Sequence, residues 1–275
     1  MKIKINILFI FYFIACFAFP SQGWSQKKAE IIKNKWALNP VLIDGILTDW
    51  TDSLDLYNDV TKLYYNISND HENIYFAVKN NSEENLSKIL ARGMSITVNY
   101  ENSKSVGQTV TFPVLDRTPG KKQVETEEPE AKEIQRRIIS KIKEIKVEGF
   151  KELVDGGISL YNTYGIKAAM AFDDNNDMIQ EIAIPLRLLG IEPERTELIT
   201  FRIRVNGFEG SSTIQRRDMN YYDDMYGGAY GGRNGRYGRN YNGMYGGMPR
   251  ENFITTKIST STEFFIKSTL AIKQN

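Results

Sequence analysis

Hydrophobic and polar residues alternate with a period of two along much of this chain. Met94, Ile96, Val98 and Tyr100 share one face of a stretch whose other face is Ser95, Thr97 and Asn99. That is the pattern of a half-buried strand. Gln108 to Val114 repeats it with Val110, Phe112 and Val114 inward, and Leu198 to Asn206 does so through Ile199, Phe201, Ile203 and Val205. Ile74 to Val78 is rich in strand formers. Gly165 to Phe172 and Met178 to Pro185 read as two strands joined by the polar turn Asp173-Asp174-Asn175-Asn176-Asp177, and Glu263 to Ile272 reads as the closing strand. Many short alternating strands with turns between them predict a mostly β protein, an antiparallel β-sandwich.

Two segments break the alternation. Glu125 to Glu148 is highly charged, and Ile134, Ile138, Ile142 and Ile145 fall four, four and three residues apart. This is one stripe of an amphipathic helix, with Pro129 suited to its first turn and Gly149 to its end. The expectation is a helical insertion at about 125–148, lying over the sandwich or meeting a partner. The second break runs over about 219–250 and repeats Tyr and Gly, with Arg233, Arg236 and Arg239 interleaved. Few aliphatic groups and many glycines predict a long flexible loop. It is either filler or a contact surface, since tyrosine and arginine stack on sugars. Tyr221, Tyr222, Tyr226, Tyr230 and Arg233 are its candidate ligand-binding residues, together with Trp36 nearer the N-terminus.

The N-terminus changes the picture of where the protein works. Lys2 and Lys4 precede an apolar run from Ile7 to Phe19, and Pro20 to Ser25 forms a small, polar tail. Residues 1–25 therefore read as a secretory signal peptide, which leaves 26–275 as a single domain. Cleavage after Gly23, an uncleaved anchor and a lipid-modified Cys16 are the alternatives. The expected destination is periplasm, cell surface or medium, with no membrane span after cleavage. Lys and Arg total 35 against 34 Asp and Glu, and two of the lysines lie in the leader. So balanced a chain offers no bulk charge for nucleic acid. Cys16 is the sole cysteine and falls in the leader. Disulfides and thiolate metal sites are thereby excluded downstream, and an apolar core must hold the fold.

Pro40-Val41-Leu42-Ile43-Asp44-Gly45-Ile46-Leu47-Thr48-Asp49-Trp50 carries a tight turn at Asp44-Gly45 and a large anchor at Trp50. Asn73-Ile74-Tyr75-Phe76-Ala77-Val78 follows, and Glu181-Ile182-Ala183-Ile184-Pro185-Leu186 comes near the end. In type and order these three pieces resemble the family 9 carbohydrate-binding modules and their DOMON-like relatives, over about Ala37 to Ile272. The resemblance implies an immunoglobulin-like sandwich and, by analogy, glycan binding. It also implies that Asp44, Gly45, Trp50, Tyr75, Glu181 and Pro185 are structural, and that Leu186 to Gly190 makes a short helical turn. Members similar to this chain clamp sugars between exposed tryptophans. Beyond the leader this chain keeps only Trp36 and Trp50, so no tryptophan pair is assigned as a clamp.

Other chemistries fare less well. His71 sits in a charged turn, apart from any nucleophile a catalytic triad would need. Haem would require an axial set such as His71 with Met94 or Met170, which nothing in the sequence joins. Asp173, Asn175 and Asp177 resemble the start of a calcium loop, but Met178 and Ile184 stand where that loop needs Gly and a bidentate acid. They are a weak calcium candidate, with a hairpin turn as the plainer reading. The sequence reads as an exported, non-enzymatic glycan-binding module without cofactor. The alternative is a structural or protein-interaction scaffold of the cell envelope.

Overall fold

The alternating segments pair into two stacked sheets. The structure, a computed structural model, describes residues 29–50, 54–100, 107–115, 130–193, 196–207 and 260–273. In spatial order one sheet holds β1 (Glu30–Ile31), β13 (Thr262–Ser268), β12 (Ile199–Val205), β6 (Met94–Tyr100), β7 (Gln108–Leu115), β8 (Ile142–Glu148) and β9 (Gly156–Ser159). The other holds β10 (Lys167–Phe172), β11 (Met178–Pro185), β5 (Asn73–Asn80), β4 (Leu63–Asn69) and β2 (Lys35–Trp36), with β3 (Leu56–Asn58) also pairing with β4. Every pairing is antiparallel except β1 with β13 and β2 with β4.

The inward faces make one core. Ile96, Val98, Phe201 and Ile203 from the seven-stranded sheet meet Ile74, Phe76, Ile182 and Ile184 from the other. Phe76 and Phe201 touch edge to face across the interface, ring centres 5.5 Å apart. Burying each such side chain contributes about 1.5–3 kcal/mol, so a core of this extent needs no cross-links.

Among the described residues three α-helices trim the sandwich. Helix α1 (Glu83–Arg92) is capped by Ser82, whose hydroxyl accepts from the Asn85 amide, and stops at Gly93, whose φ of +75° few other residues adopt. It buries Leu86, Ile89 and Leu90 and had no counterpart among the expected elements. Helix α2 spans Ala131–Ser140, and α3 (Leu186–Leu189) is the short helical turn expected after Pro185.

The insertion at 125–148 is thus not one helix. Ile134 and Ile138 lie buried on α2, whereas Ile142, Ile145 and Val147 are inward residues of β8. The register of β7 against β8 shifts between Thr111 and Val114 and again between Val114 and Leu115. That irregularity spaces Ile142 and Ile145 by three and mimics a helical stripe. It also turns Val114 away from the core and puts Leu115 there instead. Pro129, and the Tyr/Gly-rich stretch with Tyr221, Tyr222, Tyr226, Tyr230 and Arg233, lie outside the described residues. So do residues 1–28, which hold the expected signal peptide and Cys16. Among the described residues no helix is long and apolar enough to cross a membrane.

Candidate functional site

The outer face of the six-stranded sheet is built to receive the N-terminal arm. Glu181 at the middle of β11 points outward, flanked on the neighbouring strands by Ala77 and Ala169. With Ala171 these small side chains leave a trough in which residues 41–50 lie. The Glu181 carboxylate accepts from Trp50 Nε1 (2.6 Å), the Gly45 amide (2.7 Å) and the Asp44 amide (3.1 Å). Burial pushes its pKa up, and those three donors partly offset the rise. Gly45 has φ +86°, and a Cβ there would stand 2.7 Å from Ala171 Cβ. Asp44 accepts from the Ile46 amide and Asp49 from the Leu42 amide, which shapes the arm. Three motifs far apart in sequence thus form one clasp, and Trp50 is engaged in it.

The ends of β5 and β11 frame a recess of about 850 Å³. The turn that opens it is held by Asp70, whose carboxylate accepts from the Glu72 and Asn73 amides and from the Tyr75 hydroxyl. Burial, then that hydroxyl–carboxylate bond, raises the Tyr75 pKa. Pro185 starts α3, and the Leu186 amide donates to the Glu72 carbonyl, tying the far wall to the turn. Arg187 donates to the Tyr164 carbonyl at 2.6 Å. Tyr164 is 39% exposed on the lip. His71 lines the recess and packs edge to face on Trp36, 4.7 Å between ring centres. Polar Glu72, Asn73, Lys167 and Glu192 are among the other lining residues, with apolar Pro185, Leu186, Ile191 and Pro193. The recess therefore combines aromatic surface with directed polar groups, the makings of a polyhydroxyl site.

A second concavity, about 870 Å³, runs over the outer face of the seven-stranded sheet. Ser95, Thr109, Thr111, Arg202 and Arg204 form its floor.

The remaining candidates are placed as follows. Trp36 is in β2 beside His71, and Trp50 is in the clasp, so the two tryptophans hold separate posts. Asp173 and Asp177 flank the β10–β11 turn, where the Lys79 ammonium reaches both carboxylates at 2.7 and 3.0 Å. Asp173 also accepts from the Asn175 and Asp177 amides. Burial pushes the Asp173 pKa up, but Lys79 and those two amides outweigh it and hold the carboxyl low, while the bond to Asp173 raises Lys79. The carboxylates of the weak calcium candidate are thus bridged by an ammonium in this arrangement. Met94 and Met170 are core residues, and His71 is in the exposed turn. The reading of the sequence missed Tyr164 and Arg202, which fall in or beside segments whose pattern carries no ligand signal.

No protein-family model matches the chain, and no curated protein matches it. Among solved structures it is similar to a family 9 carbohydrate-binding module from Caldicellulosiruptor kristjanssonii in complex with glucose. There the identity is 9% over 90% of this chain and 98% of that one, with a TM-score of 0.35. A complex of such a module from the same organism with cellotriose gives 10% identity over 65% of this chain and 76% of that one, with a TM-score of 0.29. At that distance the β-sandwich rests on its own two sheets.

Proposed function

We propose that this chain is an exported, non-catalytic binding module that takes a glycan in the recess between the β5 and β11 ends. The observation that carries the reading is the pairing of aromatic faces with polar groups. Tyr164 and His71 line the recess, His71 backed by Trp36, with Asn73, Glu72 and Lys167 also among the lining. An aromatic face suits the apolar C–H side of a pyranose, and the polar groups fix its hydroxyls. Export rests on the leader-like residues 1–25.

The test is a glycan array on the purified chain, with glucose and cellotriose among the probes, followed by calorimetry on any hit. Tyr164→Ala and His71→Ala should each weaken binding by about tenfold, roughly 1.4 kcal/mol. A hit that both variants bind as tightly as the parent overturns the site. An array without a hit, with one envelope protein co-purifying, favours the scaffold alternative.

A further inference from the structure

The groove on the seven-stranded sheet holds a guanidinium whose hydrogen-bonding capacity its surroundings leave unused. Cross-strand register sets Thr109, Thr97, Arg202 and Phe265 in one row over four strands, all on the outer face. The next row is Thr111, Ser95, Arg204 and Glu263. The hydroxyls are locked in pairs, Ser95 with Thr111 at 2.8 Å and Thr97 with Thr109 at 2.9 Å. Arg202 donates from one terminal nitrogen to Thr97 at 3.3 Å, while its Nε is buried without a hydrogen-bond partner.

The acids nearby are engaged elsewhere. Glu148 is paired with Lys146 at 3.0 Å, Asp155 accepts from the Gly149 amide at 2.8 Å, and Glu263 lies 3.9 Å from Arg204. Among the described residues Arg202 makes no ion pair. Arg202 lines the groove with its terminal nitrogens held by one bond, to Thr97, so those nitrogens, and not the sealed Nε, are what a carboxylate can meet there. Ser95, Thr109 and Thr111 make the floor beside it polar. An acidic peptide would gain most by adding a strand at a sheet edge, and this groove lies on the face, over β6, β7, β8 and β12, away from the edge strands β1 and β9.

We propose that this groove is a second binding site, distinct from the recess, and that it takes a carboxylate-bearing polysaccharide with Arg202 reading the carboxylate.

The full chain is titrated with polygalacturonate, its fully methyl-esterified form, a neutral β-glucan and dextran sulfate. Polygalacturonate should bind, and added salt should weaken it. The esterified polymer should bind no better than the neutral glucan. Arg202→Gln should weaken polygalacturonate at least tenfold, and Arg202→Lys should fall between, since it keeps the charge and loses the fork. Matching circular dichroism and melting curves check that both variants fold. Arg202→Gln should weaken polygalacturonate far more than Tyr164→Ala does, and should leave any neutral-glycan hit of the recess unchanged, which separates the two sites. Equal binding of the esterified polymer overturns the proposal, as does dextran sulfate binding as tightly as polygalacturonate. No binding of polygalacturonate also overturns it, and a neutral-glycan hit sensitive to Tyr164→Ala would then leave the recess standing.

Discussion

The two sheets treat their outer faces in opposite ways. On the six-stranded sheet Glu181 is fully buried, ringed by alanines, and faces three donors from the arm at 41–50. On the seven-stranded sheet Arg202 stands at a comparable mid-strand position, among hydroxyls that already satisfy one another. Its guanidinium lines an open groove. Both are charged groups with a strand beneath them, so residue type does not separate them. What differs is whether the chain supplies every partner. A buried charge whose partners are all internal is part of the architecture. A charge with spare donors in a concavity is free to meet something else.

The sharpest way to break this contrast is Glu181→Ala, which leaves the Trp50 indole and the Gly45 and Asp44 amides without their acceptor. The expected loss is about 3–5 kcal/mol, read by urea unfolding at neutral pH. A change under about 1 kcal/mol would remove the clasp from the architecture. Gly45→Ala attacks the same arm through sterics, because the added Cβ meets Ala171 at 2.7 Å in a backbone region that L-residues avoid. It should cost about 2–4 kcal/mol, and a neutral result would mean that the arm can lift without penalty.

Lys79→Met probes an intermediate case, a partly exposed ammonium bridging Asp173 and Asp177. Screening limits the loss to about 1 kcal/mol. Its pH dependence has a definite sign. The folded Asp173 carboxyl is held low, so its contribution is present above the ordinary Asp value of about 3.9 and fades as pH falls through the folded value. Lys79 is raised, so its contribution is complete below about 10.4 and fades as pH rises through the folded value. The gap between parent and variant should be flat between those limits and close on both sides; a gap that persists in acid argues that Asp173 is not the partner. Smallest of all, Arg202→Gln should change stability by no more than about 0.5 kcal/mol. A loss comparable to that of Glu181→Ala would erase the difference between the two faces.

Local pattern was a good guide where a side chain's surroundings repeat along the strand. The alternation through Met94, Ile96 and Val98 and through Ile199 to Val205 gave both the strands and their inward faces, because a period of two is a property of the backbone itself. Ile142 and Ile145 misled, because their spacing reflects a register shift against β7 that is set by the partner strand. Helix α1 escaped notice although Ser82 and Gly93 punctuate it, since neither cap is legible without knowing that the segment between them packs on the sandwich.

The site shows the same division. Asp44-Gly45, Trp50 and Glu181 were each visible as motif pieces, but their meeting on one carboxylate spans more than a hundred residues of chain. Tyr164 and His71 meet at one recess because two strand ends and a short helix converge there, and the row of Thr97, Arg202 and Phe265 exists only through register. Amino-acid order by itself determined the period of the strands, most of their inward residues and the absence of cysteine after Cys16, all properties read residue by residue. Which charges are satisfied and which are left to meet a ligand was decided by tertiary structure alone, because hydrogen-bond partners are chosen by distance in space and not along the chain.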